Sequence, residues 1–367
     1  MKKTFIILII FTSFVFCFGS CNDPIFFYVS EETKQNDPRI SGSPTKFVEY
    51  DGFMWVASGK RLYNYKDGIW NLTRFDNWIS DIAATENNFY ICFESGGAKT
   101  RFIRQFEQPQ NKIYADIQLP QSAQTIHVVN KILFLSAEKN NNYSIYYFDD
   151  EVMTEPELLS TGDYTPSVIL GAAYDGTYYY LCTSSGIVCA DNQFKGSLIQ
   201  GSSTFKGIIN LNNTTVAAIT RGSSSNVALH IIKEDGIGTS VATFPKSDHK
   251  SSGALAVCIK EGKSILLAGR QESLVYTTTT GYTYGYMELL LDEDKNPINN
   301  TFNEPGRAPT PPTSIEGSYD QFISSLGKNP VNHLFQSSDG ILFASTQQRG
   351  VWSYRERDGN WQWNAEE

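Results

Sequence analysis

Short apolar runs separated by turn-forming residues recur along the whole chain. Residues 51–70 contain Asp-Gly-Phe-Met-Trp-Val-Ala-Ser, then Arg-Leu-Tyr-Asn-Tyr, then Asp-Gly-Ile-Trp. Residues 339–361 contain the matching series Asp-Gly-Ile-Leu-Phe-Ala-Ser-Thr, then Gly-Val-Trp-Ser-Tyr, then Asp-Gly-Asn-Trp. Asp-Gly steps tolerate the positive φ of tight hairpin turns, and the short apolar runs beside them have the length of strands. Each series therefore predicts antiparallel strands joined by hairpins.

Weaker copies of this series lie between the two ends of the chain. A repeat of roughly 40–50 residues with four short strands is typical of a β-propeller blade. We therefore predict an all-β, seven-bladed β-propeller of four-stranded antiparallel blades with the innermost strand first; six or eight blades are the alternatives. Aromatic residues make up 13% of the chain and charged residues 19%, which also favours strands. The predicted blades are residues 44–74, 78–119, 123–161, 165–204, 206–245, 253–291 and 331–364.

Residues 292–330 interrupt this rhythm between the sixth and seventh predicted blades. They contain an acidic stretch, a proline-rich stretch and a short helical piece. Long loops in compact domains are usually functional or disordered. Phe322, Ile323 and Leu326 form an apolar stripe at helical spacing. We predict that this stripe packs on the propeller rather than being offered to a partner.

The N-terminus predicts a secretory signal peptide. Two lysines precede an apolar run over residues 5–18, which is shorter than the roughly 20 residues that span a bilayer. Gly19-Ser20-Cys21 follows and resembles a bacterial lipobox. This resemblance implies a lipid on Cys21, which would become the new N-terminus. An ordinary signal peptide cut nearby is the alternative.

A lipid on Cys21 would anchor the protein firmly in a bacterial membrane. Asn22 stands where enterobacterial inner-membrane lipoproteins carry Asp, so we favour the outer membrane, with a periplasmic or cell-surface location. The predicted organisation is a signal peptide at 1–20, a tether at 21–42 and the propeller at 43–367. The apolar run at 25–29 within the tether could add a strand to the closing blade.

Four cysteines remain once the signal peptide and Cys21 are set aside: Cys92, Cys182, Cys189 and Cys258. An exported protein can form disulfides. Most of these cysteines lie in apolar strand runs, where a free thiol behaves as a small hydrophobic group. We predict buried free thiols and leave a disulfide between Cys182 and Cys189 as the alternative.

Charge and motif content exclude several classes of function. The formal net charge is −9 and there is no basic stripe, which argues against nucleic-acid binding. The four histidines have no metal-ligand spacing, and the single acids of the Asp-Gly turns are not calcium loops. We therefore predict no metal and no cofactor, and we expect a monomer.

A basic face on an otherwise acidic protein is the candidate binding site. In a propeller, the turns between second and third strands share one end of the blades, here called the top face, with the connections between blades. Arginine and lysine there could bind carboxylate, phosphate or sulfate groups. Solvated turn residues without a ligand are the alternative. The candidate residues are Lys60, Arg61, Lys99, Arg101, Lys139, Arg221, Arg270 and Arg349.

Signals for catalysis are sparse. The chain has no Gly-x-Ser-x-Gly elbow and no phosphate-binding loop, so we predict no catalytic residue. His127 and His333 fall on predicted innermost strands, where a buried hydrogen-bonded histidine is the commoner outcome. A propeller enzyme can assemble its site from distant blades, so an enzyme stays an alternative.

The end blades resemble propeller repeats of the two-component-regulator and YCF48-like types. The resemblance rests on the Asp-Gly-x-x-(Trp/Phe)-x-(Ala)-Ser/Thr series at residues 51–58 and 339–346, where the Ala is optional, and on the Gly/Arg-(Val/Leu)-(Trp/Tyr)-x-Tyr series that follows each. It implies a propeller fold and a binding role. We therefore expect a lipid-anchored envelope propeller that acts as a non-catalytic scaffold for protein or anionic ligands. A hydrolase or lyase acting on polysaccharide or peptide is the alternative.

Overall fold

The chain folds into a β-propeller of antiparallel sheets. The computed structural model describes residues 40, 42–94, 101–106, 113–118, 122–139, 142–149, 151, 155–162, 164–199, 201–202, 204–222, 226–245, 250–271, 285–303, 326, 330–347, 350–357 and 360–366. Every pair of neighbouring strands within a sheet is antiparallel, and strands follow one another in sequence order within each sheet. The first strands of neighbouring sheets contact each other, so the first strand of each sheet is the innermost one.

In the part of the chain that the structure describes, six sheets have four strands each and form complete blades. They are blade one, β1–β4 (Val48–Tyr50, Phe53–Ser58, Arg61–Lys66, Ile69–Arg74); blade two, β5–β8 (Trp78–Ala84, Phe89–Glu94, Arg101–Phe106, Ile113–Gln118); blade three, β9–β12 (Ser122–Val129, Ile132–Lys139, Asn142–Asp149, Glu157–Leu158); blade four, β13–β16 (Ile169–Tyr174, Tyr179–Thr183, Gly186–Ala190, Gly196–Leu198); blade five, β17–β20 (Phe205–Asn210, Val216–Thr220, Ala228–Lys233, Gly236–Thr243); and blade seven, β24–β27 (Val331–Gln336, Leu342–Thr346, Val351–Arg357, Asn360–Ala365).

The sheet between blades five and seven has three strands, β21 (Ser251–Lys260), β22 (Lys263–Arg270) and β23 (Tyr286–Leu290). Within the described residues, the favoured count of seven four-stranded blades is therefore corrected to six, which was one of the predicted alternatives, with one three-stranded sheet beside them. Residues 297–303 make isolated bridges beside this sheet, including Asn303 with Glu288 of β23 and Pro297 with Leu291. Thr301 bridges Thr243 of blade five, so this segment divides its bridges between two sheets and is no regular fourth strand.

The described part of the predicted insertion packs against the propeller. Phe302 is 1% exposed and joins the core between blade five and the three-stranded sheet. Leu326 is fully buried against β21–β27 residues, as its place in the apolar stripe predicted. Phe322 and Ile323 lie outside the described residues.

Most innermost strands carry a β-bulge near their start. The pairing register shifts at Ile79/Asp81 in β5, at Ile169/Gly171 in β13, at Phe205/Gly207 in β17 and at Val331/His333 in β24. Similar shifts occur in the β9 and β21 pairings. A bulge bends a strand and re-aims its side chains. Side chains next to the propeller axis therefore do not simply alternate between the two faces of the sheet, as they would along a regular strand.

The first and last blades are joined by both ends of the described chain. Ile40 is fully buried in one cluster with Trp70 of blade one and Val351 of blade seven, and its carbonyl accepts a hydrogen bond from the Val351 N–H at 3.2 Å. The Glu366 carboxylate accepts a 2.6 Å hydrogen bond from Trp70 Nε1 and further bonds from Ser353 and Arg355. The ring is thus closed by side chains from residues at opposite ends of the chain.

The four remaining cysteines are free and buried, which confirms that prediction. Burial raises the pKa of the Cys182, Cys189 and Cys258 thiols to about 12. Thiols with such pKa values are inert packing groups at neutral pH. Across the described residues, no helix is long and apolar enough to cross a membrane. The signal peptide, Cys21 and most of the predicted tether lie outside those residues.

Candidate functional site

The eight candidate basic residues do not form one continuous surface. Lys60 and Arg221 are exposed at the top face, after β2 and β18, and Arg61 is half-buried at the start of β3. Arg270 is only 2% exposed at the end of β22, so its charge is not displayed on the surface. Arg101 begins β7 and Lys139 ends β10, but their side chains lie outside the described part of the structure, as do Lys99 and Arg349.

Two cations of blade one are paired across neighbouring strands. Arg61 of β3 lies directly opposite Arg74 of β4. Opposite positions in an antiparallel pair hold their side chains about 5 Å apart on one face, and like charges there repel. Among the described residues, Lys60, Arg61 and Arg74 have no hydrogen-bonded or ionic side-chain partner. The top of blade one therefore concentrates uncompensated positive charge.

An exposed indole flanks this charge. Trp78 begins β5 and is 58% exposed, and its ring passes over the β2–β3 turn, 3.3 Å from the position that a Cβ on Gly59 would occupy. We call Lys60, Arg61, Arg74 and Trp78 the basic rim. The one acidic residue of the adjoining connection is Asp76, which is also exposed.

Sequence reasoning missed Arg74 and Trp78, although a signal for Arg74 was present. The two-residue turn Asp67-Gly68 pairs Lys66 with Ile69. Moving five residues away from the turn along both strands pairs Arg61 with Arg74. Nothing comparable predicted the exposure of Trp78, because tryptophan is highly buried on average.

The opposite, bottom face carries hairpins with acidic turn residues, and those at Asp51 and Asp67 are Asp-Gly turns that the sequence predicted. Asp51, Asp67 and Glu261 occupy turns with φ of 53°, 51° and 50°. Asp175 accepts hydrogen bonds from the backbone N–H groups of its own turn and from the Tyr180 hydroxyl at 2.7 Å. These acids therefore shape turns, and among the described residues no three potential metal-ligating side chains cluster together.

A second polar cluster lies where the innermost strands of blades one, two and three meet. Lys46 Nζ is 2.6 Å from Asp81 Oδ2, and it also donates to the carbonyl of Ile126. Asp81 accepts the Ile126 N–H at 3.0 Å and the Ile82 N–H at 3.0 Å. The lysine and aspartate side chains are only 13% and 9% exposed. One buried ion pair thus links three blades.

Two histidines share this axial environment. Burial is the main cause that lowers the pKa of His127 well below its usual value and that of His333 to about 3, and the Lys46 charge lowers both further. Both imidazoles are therefore neutral at physiological pH. His127 Nε2 lies 3.3 Å from the carbonyl of Ile169 in blade four. His127 confirms the expectation of a hydrogen-bonded histidine on an innermost strand.

We call Lys46, Asp81, His127 and His333 the axial cluster. The two imidazoles are partly buried, and burial is the main cause of their lowered pKa values. Neutral imidazoles there can donate and accept hydrogen bonds. A pKa as low as that of His333 makes a weak general base at neutral pH.

The low pKa of His333 makes the stability of the fold depend on pH. Below pH 6.5 the unfolded chain protonates this histidine and the folded chain does not, so the free energy of unfolding falls as pH falls. Between about pH 6 and pH 4 we expect His333 to account for a loss of about 2 kcal/mol. Urea unfolding of the wild type and a His333→Asn variant at both pH values measures this loss. Equal pH dependence in the two proteins would contradict the assignment.

No protein-family model matches the chain, and no curated protein matches its sequence. Solved structures do match. The extracellular domain of a putative hybrid two-component system from B. thetaiotaomicron has a TM-score of 0.51 and 13% identity, and the match covers 86% of this chain and 39% of that one. The present chain therefore spans about two fifths of that relative's length.

Two further matches have TM-scores of 0.57 and 0.56. A streptogramin B lyase is 10% identical, with 85% of this chain and 93% of that one covered. The WD40 β-propeller domain of Doa1 is 8% identical, with 88% and 96% covered. At these identities the likenesses establish the β-propeller fold alone, which scaffolds and enzymes share.

Proposed function

We propose that this chain is an exported, lipid-anchored propeller of the bacterial envelope that binds an acidic protein or another anionic ligand without catalysing a reaction. The lipid would sit on Cys21, with the outer membrane as the favoured location. The likeness to an extracellular domain supports export. Binding is assigned to the part of the top face that the basic rim forms on blade one.

The observation that carries this proposal is the Arg61–Arg74 pair. Placing two guanidinium groups opposite each other costs stability unless an anion joins them. Arginine binds carboxylate, phosphate or sulfate groups through paired N–H donors. Lys60 adds a third charge at the adjoining turn, and the exposed face of Trp78 adds apolar contact area of the kind enriched at binding sites.

Affinity capture from an envelope extract tests the proposal. The bait is mature protein from residue 22, compared with a triple variant carrying Lys60→Ala, Arg61→Ala and Arg74→Ala. The control removes three exposed bottom-face charges through Lys195→Ala, Lys233→Ala and Lys263→Ala. We expect a captured partner to fall at least about tenfold in the rim variant only, and to be released by high salt because the contacts are exposed. Equal capture by both variants would refute the basic rim as the site.

The axial cluster favours a second candidate, an enzyme acting on polysaccharide or peptide. Two neutral histidines beside a buried ion pair could orient a substrate, and a lyase is among the propellers of similar fold. Screening hydrolase and lyase substrates with wild type, His333→Gln and the rim triple variant separates the two. Turnover that is lost in His333→Gln and kept in the rim variant would replace the scaffold proposal.

A further inference from the structure

The outer strand of blade one presents an apolar open edge. β4 pairs with β3 alone within the described part of the chain. Ile69 is 63% and Leu72 is 43% exposed, whereas β12, β16 and β27 each expose one large apolar side chain, Leu158, Leu198 and Trp361. A long apolar edge strand is a template for another strand, and proteins usually cover it.

The pairing register identifies the amides that this edge leaves open. The Asp67-Gly68 turn has both residues at positive φ, 51° and 83°, as a two-residue hairpin turn requires. Lys66 and Ile69 flank it as a hydrogen-bonded pair, and such pairs alternate along an antiparallel ladder. The N–H groups of Ile69, Asn71 and Thr73 therefore point to β3. Those of Trp70, Leu72 and Arg74 point outward.

The chain enters the propeller beside this edge. Ile40 is buried in the same cluster as Trp70 of β4. Upstream in the sequence stands the apolar, strand-forming run Ile-Phe-Phe-Tyr-Val at residues 25–29, in an otherwise polar stretch. Ten residues lie between its end and Ile40, and the corresponding eleven steps of an extended chain reach up to about 36 Å. The run can therefore reach β4, and its apolar side chains require burial as well.

We propose that residues 25–29 dock on the open edge of β4 as a fifth strand of blade one. Docking satisfies the outward amides and covers Leu72 with aromatic side chains of the run. It also leaves only Asn22, Asp23 and Pro24 between the docked strand and Cys21. If Cys21 carries the proposed lipid, blade one is held against the membrane surface. The docking itself does not depend on the lipid or on the proposed ligand.

Amide hydrogen exchange in mature protein from residue 22 tests the docking. We expect the amides of Trp70, Leu72 and Arg74 to exchange about 100-fold more slowly in wild type than in a Phe27→Asp variant. Gln35→Asp, in the polar part of the same stretch, is the matched control and should exchange like wild type. Ile69, Asn71 and Thr73 report on β4 itself and should stay protected in all three proteins.

Two results would overturn the proposal. One is equal exchange of the outward amides in wild type and Phe27→Asp while the inward amides stay protected. The other is protection that rises with protein concentration in both proteins, because a second copy would then be the occupant. Neither result bears on ligand capture by the basic rim, so this proposal and the proposed function fail independently.

Discussion

An Asp81→Ala variant should be less stable than wild type by about 3–5 kcal/mol. The substitution leaves the Lys46 ammonium buried without its counter-charge, and breaking one partner of a buried pair costs about that much. It also removes the acceptor of the Ile126 N–H, which ties blade two to blade three. Urea unfolding followed by tryptophan fluorescence measures the loss.

Two controls separate this buried charge from a general effect of losing an acid. Glu151→Ala breaks an exposed pair with Lys131, 3.2 Å apart, and should cost less than about 1 kcal/mol. Adding Lys46→Met to Asp81→Ala should restore part of the lost stability, since no unpaired charge then remains. Additive losses in the double variant would show that the pair does not act as a unit.

We expect a Gly253→Ala variant to have a free energy of unfolding about 4 kcal/mol lower than wild type, because of a steric clash rather than a lost ion pair. Gly253 has φ of +91°, and a Cβ there would lie 2.2 Å from the Lys206 carbonyl oxygen. The facing position is equally tight, because a Cβ on Gly207 would lie 2.0 Å from the Gly253 carbonyl oxygen. Backbone cannot yield as a side chain does, so β17 and β21 would have to separate.

Gly340→Ala is the matched control for this prediction. Gly340 has φ of +86°, and a Cβ there would meet nothing within 4 Å. The Gly340→Ala variant should therefore be destabilised only by the backbone strain of a positive φ, which costs about 1–2 kcal/mol. The difference between the two variants measures the clash. Similar losses of unfolding free energy would mean that the inner strands move apart easily.

Local sequence signals predicted the blades, because hairpin turns act over a few residues. The Asp-Gly turns set the strand boundaries of blade one, and their register even determines the Arg61–Arg74 pair. The division of the described strands into six four-stranded blades and one three-stranded sheet was not predictable from local signals. It depends on a segment, residues 297–303, that contacts the three-stranded sheet through scattered bridges rather than through a patterned strand.

The axial cluster shows what local signals cannot supply. His127 and His333 were placed correctly on innermost strands, yet more than 200 residues separate them along the chain. Lys46 and Asp81 meet across two blades, and Asp81 follows a bulge that shifts the alternation of β5. Their meeting follows from ring closure, which brings distant blades to one axis. No single repeat carries that information.

The seam between blades one and seven also determines how the molecule would respond to mechanical load. Ile40 enters at this seam, and Glu366 holds it from the other end of the chain. A pull that is transmitted to Ile40 would act directly on the Ile40–Val351 hydrogen bond and the apolar contacts around it. Tension would therefore open the ring at this seam. The hydrogen bonds of Glu366 with Trp70, Ser353 and Arg355 would resist that opening.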